Sequence, residues 1–284
     1  MSRRGTYVND LAPFFDDCCW MFVLPARSAR VAVILRRGPT DWWHVTRWDT
    51  RTDAFERGQW FHGRIYPEKC DLCPNGKLLV YFAAKFGRPH SGGYSDSWTA
   101  VSRPPYLTAL TLWPIGGACG GQGVFMDDFT LRIGSSAPRH HPDHPPGPLR
   151  LLPWLPSSGN AAPVVPCWLD GWDALPAPGS KTRITEYRKP CGTLVLGRDV
   201  PANYHAPSRR RTLYTLYRVS GEPVTMFEAH WADWDQRGRL VAAVGGRIVA
   251  ARLTKDDQLR WRQLADLHDQ KPTRLEAPKW AQRW

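Results

Sequence analysis

A chain of 284 residues with 38 Lys and Arg against 26 Asp and Glu has room for one large domain or two ordinary ones, and its formal charge of +12 favours polyanionic or acidic partners. Its 24 glycines and 26 prolines, scattered along the whole length, argue against a helical bundle and for many short strands joined by tight turns, an all-β fold. No apolar run reaches the ~20 residues of a membrane span, and seven cysteines without regular spacing fit a reducing compartment better than a disulfide framework.

In chain order, residues 1–29 read as an N-terminal segment. Its most apolar run, Pro13 to Pro25, is short and carries Asp16 and Asp17. It lacks a basic start followed by an uninterrupted apolar stretch and a small-residue cleavage site, which predicts a cytoplasmic protein with no secretory signal and no membrane partner. Residues 30–284 read as one β domain. The alternating run Trp43 to Trp48 predicts a strand that enters a polar turn at Asp49 to Asp53. Asp71, Gly76, Lys77 and Leu78 then recur with the same spacing as Asp233, Gly238, Arg239 and Leu240. Each set predicts a strand end, a turn that needs glycine at positive φ, and a buried strand leaving it. The two glycines lie about four steps apart at roughly 40 residues per four-stranded propeller blade. Gly123 and Gly192 open apolar runs near two of the three intermediate positions. The third falls in a proline-dense stretch, which predicts an irregular loop over 134–166. Leu253 to His268 predicts one short helix. The architecture expected is a β-propeller of five, alternatively six, four-stranded blades.

At these residues, and at the Trp-Asp pairs Trp48-Asp49, Trp172-Asp173 and Trp234-Asp235, the chain resembles the WD-repeat and TolB-like β-propellers. The resemblance covers roughly 30–86 and 181–253. The Gly-His pair and the regular Trp-Asp spacing of WD repeats are missing, so the blade number does not carry over. Arg36 to Pro105 is similar to an uncharacterised family of bacterial propeller-like proteins, which brings no activity with it. The resemblance implies inner strands around a channel and variable loops on two flat faces. The repeat, the lack of a complete catalytic constellation and the surplus of Trp and Arg predict a non-catalytic module that docks a protein, as a subunit or scaffold of a larger bacterial assembly.

Fifteen tryptophans exceed what such a core needs, and Trp42, Trp60 and Trp284 are the candidates for a protein-contact surface. The basic and aromatic residues Arg209, Arg210, Arg211 and Tyr214 would suit RNA or DNA in an alternative reading. A further alternative is a hydrolase whose channel carboxylates are Asp71 and Asp233, set against the commoner role of an Asp that binds backbone N–H groups near a turn. Cys70 and Cys73 form half of a zinc knuckle with no second pair. His140, His141 and His144 are metal-competent side chains on what reads as a solvated proline-rich loop. Gly116 to Gly123 lacks the Lys and Ser/Thr of a phosphate loop and reads as flexible, and Cys119 has no nearby His to activate it. No cofactor is expected.

Overall fold

The computed structural model describes residues 7–8, 10–14, 19–87, 92–117, 120–134, 139–154, 166–180, 183–200 and 211–284. Among these residues the fold is all-β: 22 strands in five sheets, four 3-10 turns and no α-helix. None of the sheets closes on itself. No helix among the described residues is long and apolar enough to cross a membrane.

After the two-residue strand β1 (Tyr7–Val8), the sheets follow the chain one after another. The first is β2 (Trp20–Pro25), β3 (Val31–Arg37), β4 (Trp42–Asp49) and β5 (Ala54–His62), paired in that order. The second contains β6 (Arg64–Ile65), β7 (Asp71–Leu72), β8 (Leu79–Ala84), β9 (Ser97–Ser102) and β10 (Thr111–Pro114), with β6 and β7 both pairing with β8. The third is β11 (Gly123–Phe125), β12 (Thr130–Ile133) and β13 (Arg150–Pro153). The fourth is β14 (Asp173–Pro176), β15 (Ile184–Cys191), β16 (Leu194–Asp199), β17 (Thr212–Arg218) and β18 (Pro223–Ala229). The fifth is β19 (Trp231–Trp234), β20 (Leu240–Val244), β21 (Arg247–Leu253) and β22 (Leu259–Asp266), and β1 joins it on the β22 edge. Pairing is antiparallel except between β12 and β13, which run parallel because β13 returns only after a long proline-rich connection.

The chain divides into two compact units, Val23–Asp170 with Lys271–Trp284, and Met1–Phe22 with Gly171–Gln270. In the first, Val80, Val101, Trp113, Phe125 and Leu131 form part of one apolar cluster. In the second, Leu196, Tyr214, Leu216, Val249 and Trp261 form part of another. Residues within the first 29 take part in two sheets, through β1 and β2. Within the stretch expected to be an irregular loop, β13 is a strand, while 135–138 and 155–165 lie outside the described residues.

The turns at Gly76 and Gly238 occupy equivalent settings. Each joins the short edge strand that carries the Asp to the next strand, Asp71 pairing with Val80 and Asp233 with Val241. Both glycines have left-handed φ, +74° and +71°, and each N–H closes the turn, on Cys73 O at 2.9 Å and on Asp235 O at 2.8 Å. The first turn is one residue longer, closing from Cys73 N to Leu78 O where the second closes from Asp235 N to Arg239 O.

The helix expected over Leu253 to His268 is instead the end of β21, a tight turn and β22. Leu259 and Trp261 are buried and Arg260 between them is exposed, which is strand period and not helix period. Asp257 holds φ at +57° in the turn, a conformation that interrupts a helix.

Candidate functional site

The first sheet gathers an aromatic and basic cluster on its β5 side. Strand registry places Arg36 opposite His44, His44 opposite Trp60, and Trp42 opposite His62. Residues directly opposite share a face, so the five side chains stand together. Trp42 stacks on His62 with ring centroids 4.7 Å apart, His44 stacks on Trp60 at 4.5 Å, and the two indoles meet edge-on at 6.4 Å. The Arg36 guanidinium lies 5.5 Å from the Trp60 ring centre, a cation–π arrangement. Arg36 and His44 are buried, Trp42 and Trp60 half-buried, and His62 exposed. The buried pair is fixed from below. His44 Nε2 faces the Gly58 carbonyl at 3.2 Å, and since a carbonyl only accepts, Nε2 carries the proton and Nδ1 accepts from the Thr46 hydroxyl at 3.3 Å. The far side of β5 is fixed by Gln59, whose Oε1 accepts from Leu107 N at 2.7 Å and whose amide donates to Leu275 O at 2.9 Å. The result is a rigid shelf whose outer surface is two indole rings and an imidazole.

Trp284 is elsewhere in that unit. Its indole N–H donates to Pro145 O at 3.3 Å and its ring packs partly buried against the Phe125–Leu131 cluster, so close to Gly147 that an added Cβ there would lie 2.4 Å from the ring. It closes the 145–147 turn. The structure thus brings together two of the three tryptophans predicted as contact residues and adds Arg36, His44 and His62. The missed signal was the repeated i, i+2 spacing of Trp42 with His44 and Trp60 with His62 on either side of one turn.

Both repeat carboxylates are inside the protein. Asp71 has no exposed surface; its Oδ1 accepts from Cys167 N at 2.6 Å and its Oδ2 from Phe125 N at 2.7 Å, with the Arg27 guanidinium at 3.5 Å. Arg27 also donates to Phe125 O at 3.1 Å, so this one carboxylate ties β7, β11 and the turn before β14 into one node. Burial pushes its pKa up, opposed chiefly by Arg27 and the two N–H groups. Asp233 is equally buried, accepting from Trp234 N at 2.7 Å, from the Trp172 indole at 3.2 Å and from Lys189 at 3.0 Å. Burial raises its pKa too, against the pull of Lys189. Neither oxygen pair faces water or a cleft, and the turn N–H groups are bound by others. Asp235 Oδ1 takes Arg237 N and Arg239 N, and Asn75 Oδ1 takes Lys77 N.

Cys73 stands where the repeat has Asp235, and its sulfur does a similar job, accepting from Leu78 N at 3.1 Å. Cys70 and Cys73 are both buried with thiol pKa values raised by burial, the opposite of a metal-bound thiolate. His141 is buried rather than solvated. Its Nε2 faces Gly92 O at 2.6 Å and its Nδ1 accepts from Asp143 N at 3.2 Å, so a neutral ring has both nitrogens engaged. His140 Nδ1 lies 3.1 Å from His141 O, and His144 Nε2 lies 3.3 Å from the Tyr94 hydroxyl, whose ring stacks on His141. Among the described residues no three His, Cys, Asp or Glu side chains are grouped to hold a metal.

The nucleic-acid candidates divide. Arg209, Arg210 and Cys119 lie outside the described residues. Arg211 is exposed, 3.7 Å from Glu228. Tyr214 is buried, its hydroxyl accepting from Ala232 N at 3.0 Å and its ring stacked on Phe227, which leaves no face for a base. The glycine-rich stretch is closely packed at Gly121, where a Cβ would lie 2.0 Å from the Phe82 ring.

No family model matches the sequence, and no curated protein matches it. Among solved structures, an uncharacterized protein from Listeria monocytogenes is similar at 8% identity, covering 89% of this chain and 85% of that chain, with a TM-score of 0.32. A score that low carries no argument about fold or function.

Proposed function

We propose that the protein is a non-catalytic binding module, a five-bladed β-propeller that docks a protein partner as a subunit or scaffold of a larger assembly, with Trp42, Trp60 and His62 in its contact surface. What carries the reading is the shelf itself: half-exposed indoles held rigid by stacking and by a buried His and Arg beneath them. Aromatic side chains that keep one face open and have already lost their rotamer freedom are the usual anchors of protein interfaces. Five sheets that follow one another along the chain, each of consecutive strands apart from β1, support the propeller, as does the seating of that N-terminal strand on the last sheet, the way propellers join their ends. The two equivalent turns give the repeat its grammar. Asp71 and Asp233 support it as well, since both spend their oxygens on internal bonds. Native affinity purification tests the reading. A stoichiometric protein partner is expected, and a chain that elutes alone, at monomer mass at every concentration, contradicts it.

A further inference from the structure

A second surface, in the unit that holds the fourth and fifth sheets, has the form of a peptide site. Cavity space of about 500 Å³ opens beside β18, and four consecutive residues of that strand, Thr225 to Glu228, line it. Successive side chains of a strand point to opposite faces, so four in a row can border one space only if the strand's edge, with its backbone N–H and C=O groups, faces that space. β18 is the outermost strand of its sheet, and among the described residues no strand pairs with its free edge. Facing it are Leu259 and Trp261 of β22. Trp261 is buried and meets Phe227 edge-on at 5.1 Å, giving the groove an apolar floor, while Met226 stands at its lip 65% exposed. The rim carries three carboxylates, Asp10, Glu228 and Asp257, against Arg211 and, bound to Asp257 at 2.8 Å, Arg218. Among the described residues the rim therefore carries one carboxylate more than it has arginines, in a protein of net charge +12.

We propose that this groove takes an extended segment of a partner protein, added as a strand to the free edge of β18, with apolar side chains on the Phe227–Trp261 floor alternating with basic ones toward the rim. Backbone pairing to a free edge supplies affinity without regard to sequence, and alternation of side chains supplies selectivity, as in other cases of strand addition. Opposite charge at the rim selects basic over acidic segments. The proposal rests on the protein-binding reading above and names the form of partner at a second surface.

The test uses the full chain with fluorescein-labelled octapeptides in which Lys alternates with Val, Leu, Phe or Tyr, and the matching peptides with Glu in place of Lys. At least one Lys peptide is expected to bind, with its Glu counterpart at least ten-fold weaker, and to slow hydrogen exchange at amides of residues 223–229. Glu228→Lys is expected to weaken that peptide about ten-fold. Four results would overturn the inference: no Lys peptide binds, Lys and Glu peptides bind equally, binding leaves exchange at 223–229 unchanged, or the chain alone dimerises with those amides already protected. Trp42- and Trp60-dependent capture of a partner without peptide binding removes the groove alone, whereas loss of both removes the protein-binding reading with it.

Discussion

Replacing Asp71 by Ala should destabilise the unit that contains it by about 3 kcal/mol at pH 7. The carboxylate accepts two buried backbone N–H groups, at 2.6 and 2.7 Å, and each would be left without an acceptor at a cost of ~1–3 kcal/mol, roughly 2–6 together. Removing a buried charge returns part of that. Arg27, 18% exposed and still bonded to Phe125 O, can turn to water. Asp71→Asn should cost less, about 1–3 kcal/mol, because its carbonyl keeps one N–H while its amide opposes the other. Urea unfolding followed by tryptophan fluorescence reads this directly. With m of ~2 kcal/mol/M the Ala variant's midpoint should fall by about 1–2 M. A midpoint within about 0.2 M of the wild type would show that Asp71 holds nothing together and would reopen it as a chemical group.

Other outcomes follow from the same geometry. Gly58→Ala places a Cβ 2.0 Å from the Pro105 carbonyl oxygen and should cost about 3 kcal/mol, checked by thermal unfolding. Gly76→Ala and Gly238→Ala both force a side chain into the left-handed region, about 1–2 kcal/mol each, but only the first also presses on Val31, at 3.1 Å, so it should be the worse by about 1 kcal/mol in the same assay. Asp233 has its pKa raised by burial, so it binds its proton more tightly when folded. Its contribution is therefore largest below the unfolded value of ~4 and declines as pH rises through the raised folded value. The stability of wild type relative to Asp233→Asn should fall between pH 4 and pH 7, and a constant difference across that range would refute the burial argument. Trp42→Ala with Trp60→Ala should leave the far-ultraviolet spectrum unchanged and weaken partner capture by ~2 kcal/mol or more, about 30-fold.

The turns were the most legible part of the chain, because glycine at positive φ followed by a basic residue and an apolar run is a local signal that distant contacts do not override. The class followed from them. The C-terminal segment from Leu253 to His268 misled because nothing local marks it as a hairpin, whereas Trp261 is buried against Phe227 in the core cluster with exposed Arg260 beside it, and that alternation imposes strand spacing. The Asp71 and Asp233 positions were found, but their partners were not: Cys167, Phe125, Lys189 and Trp172 lie 44 to 96 residues away in sequence. Much the same holds for the shelf. Trp42 and Trp60 could be named from composition, yet His62 and Arg36 become part of it only once registry across β3, β4 and β5 is set. His141 looked solvated among prolines and is buried, with the Tyr94 ring stacked on it and the carbonyl of Gly92, far off in the chain, accepting from it.

The most direct measurement is oxidative footprinting of the purified complex against the free chain. Trp42 and Trp60 are expected to oxidise readily in the free chain and to be protected when the partner is bound, while Trp280, 58% exposed, reacts alike in both. Equal oxidation of Trp42 and Trp60 in the two states would contradict the proposed contact surface.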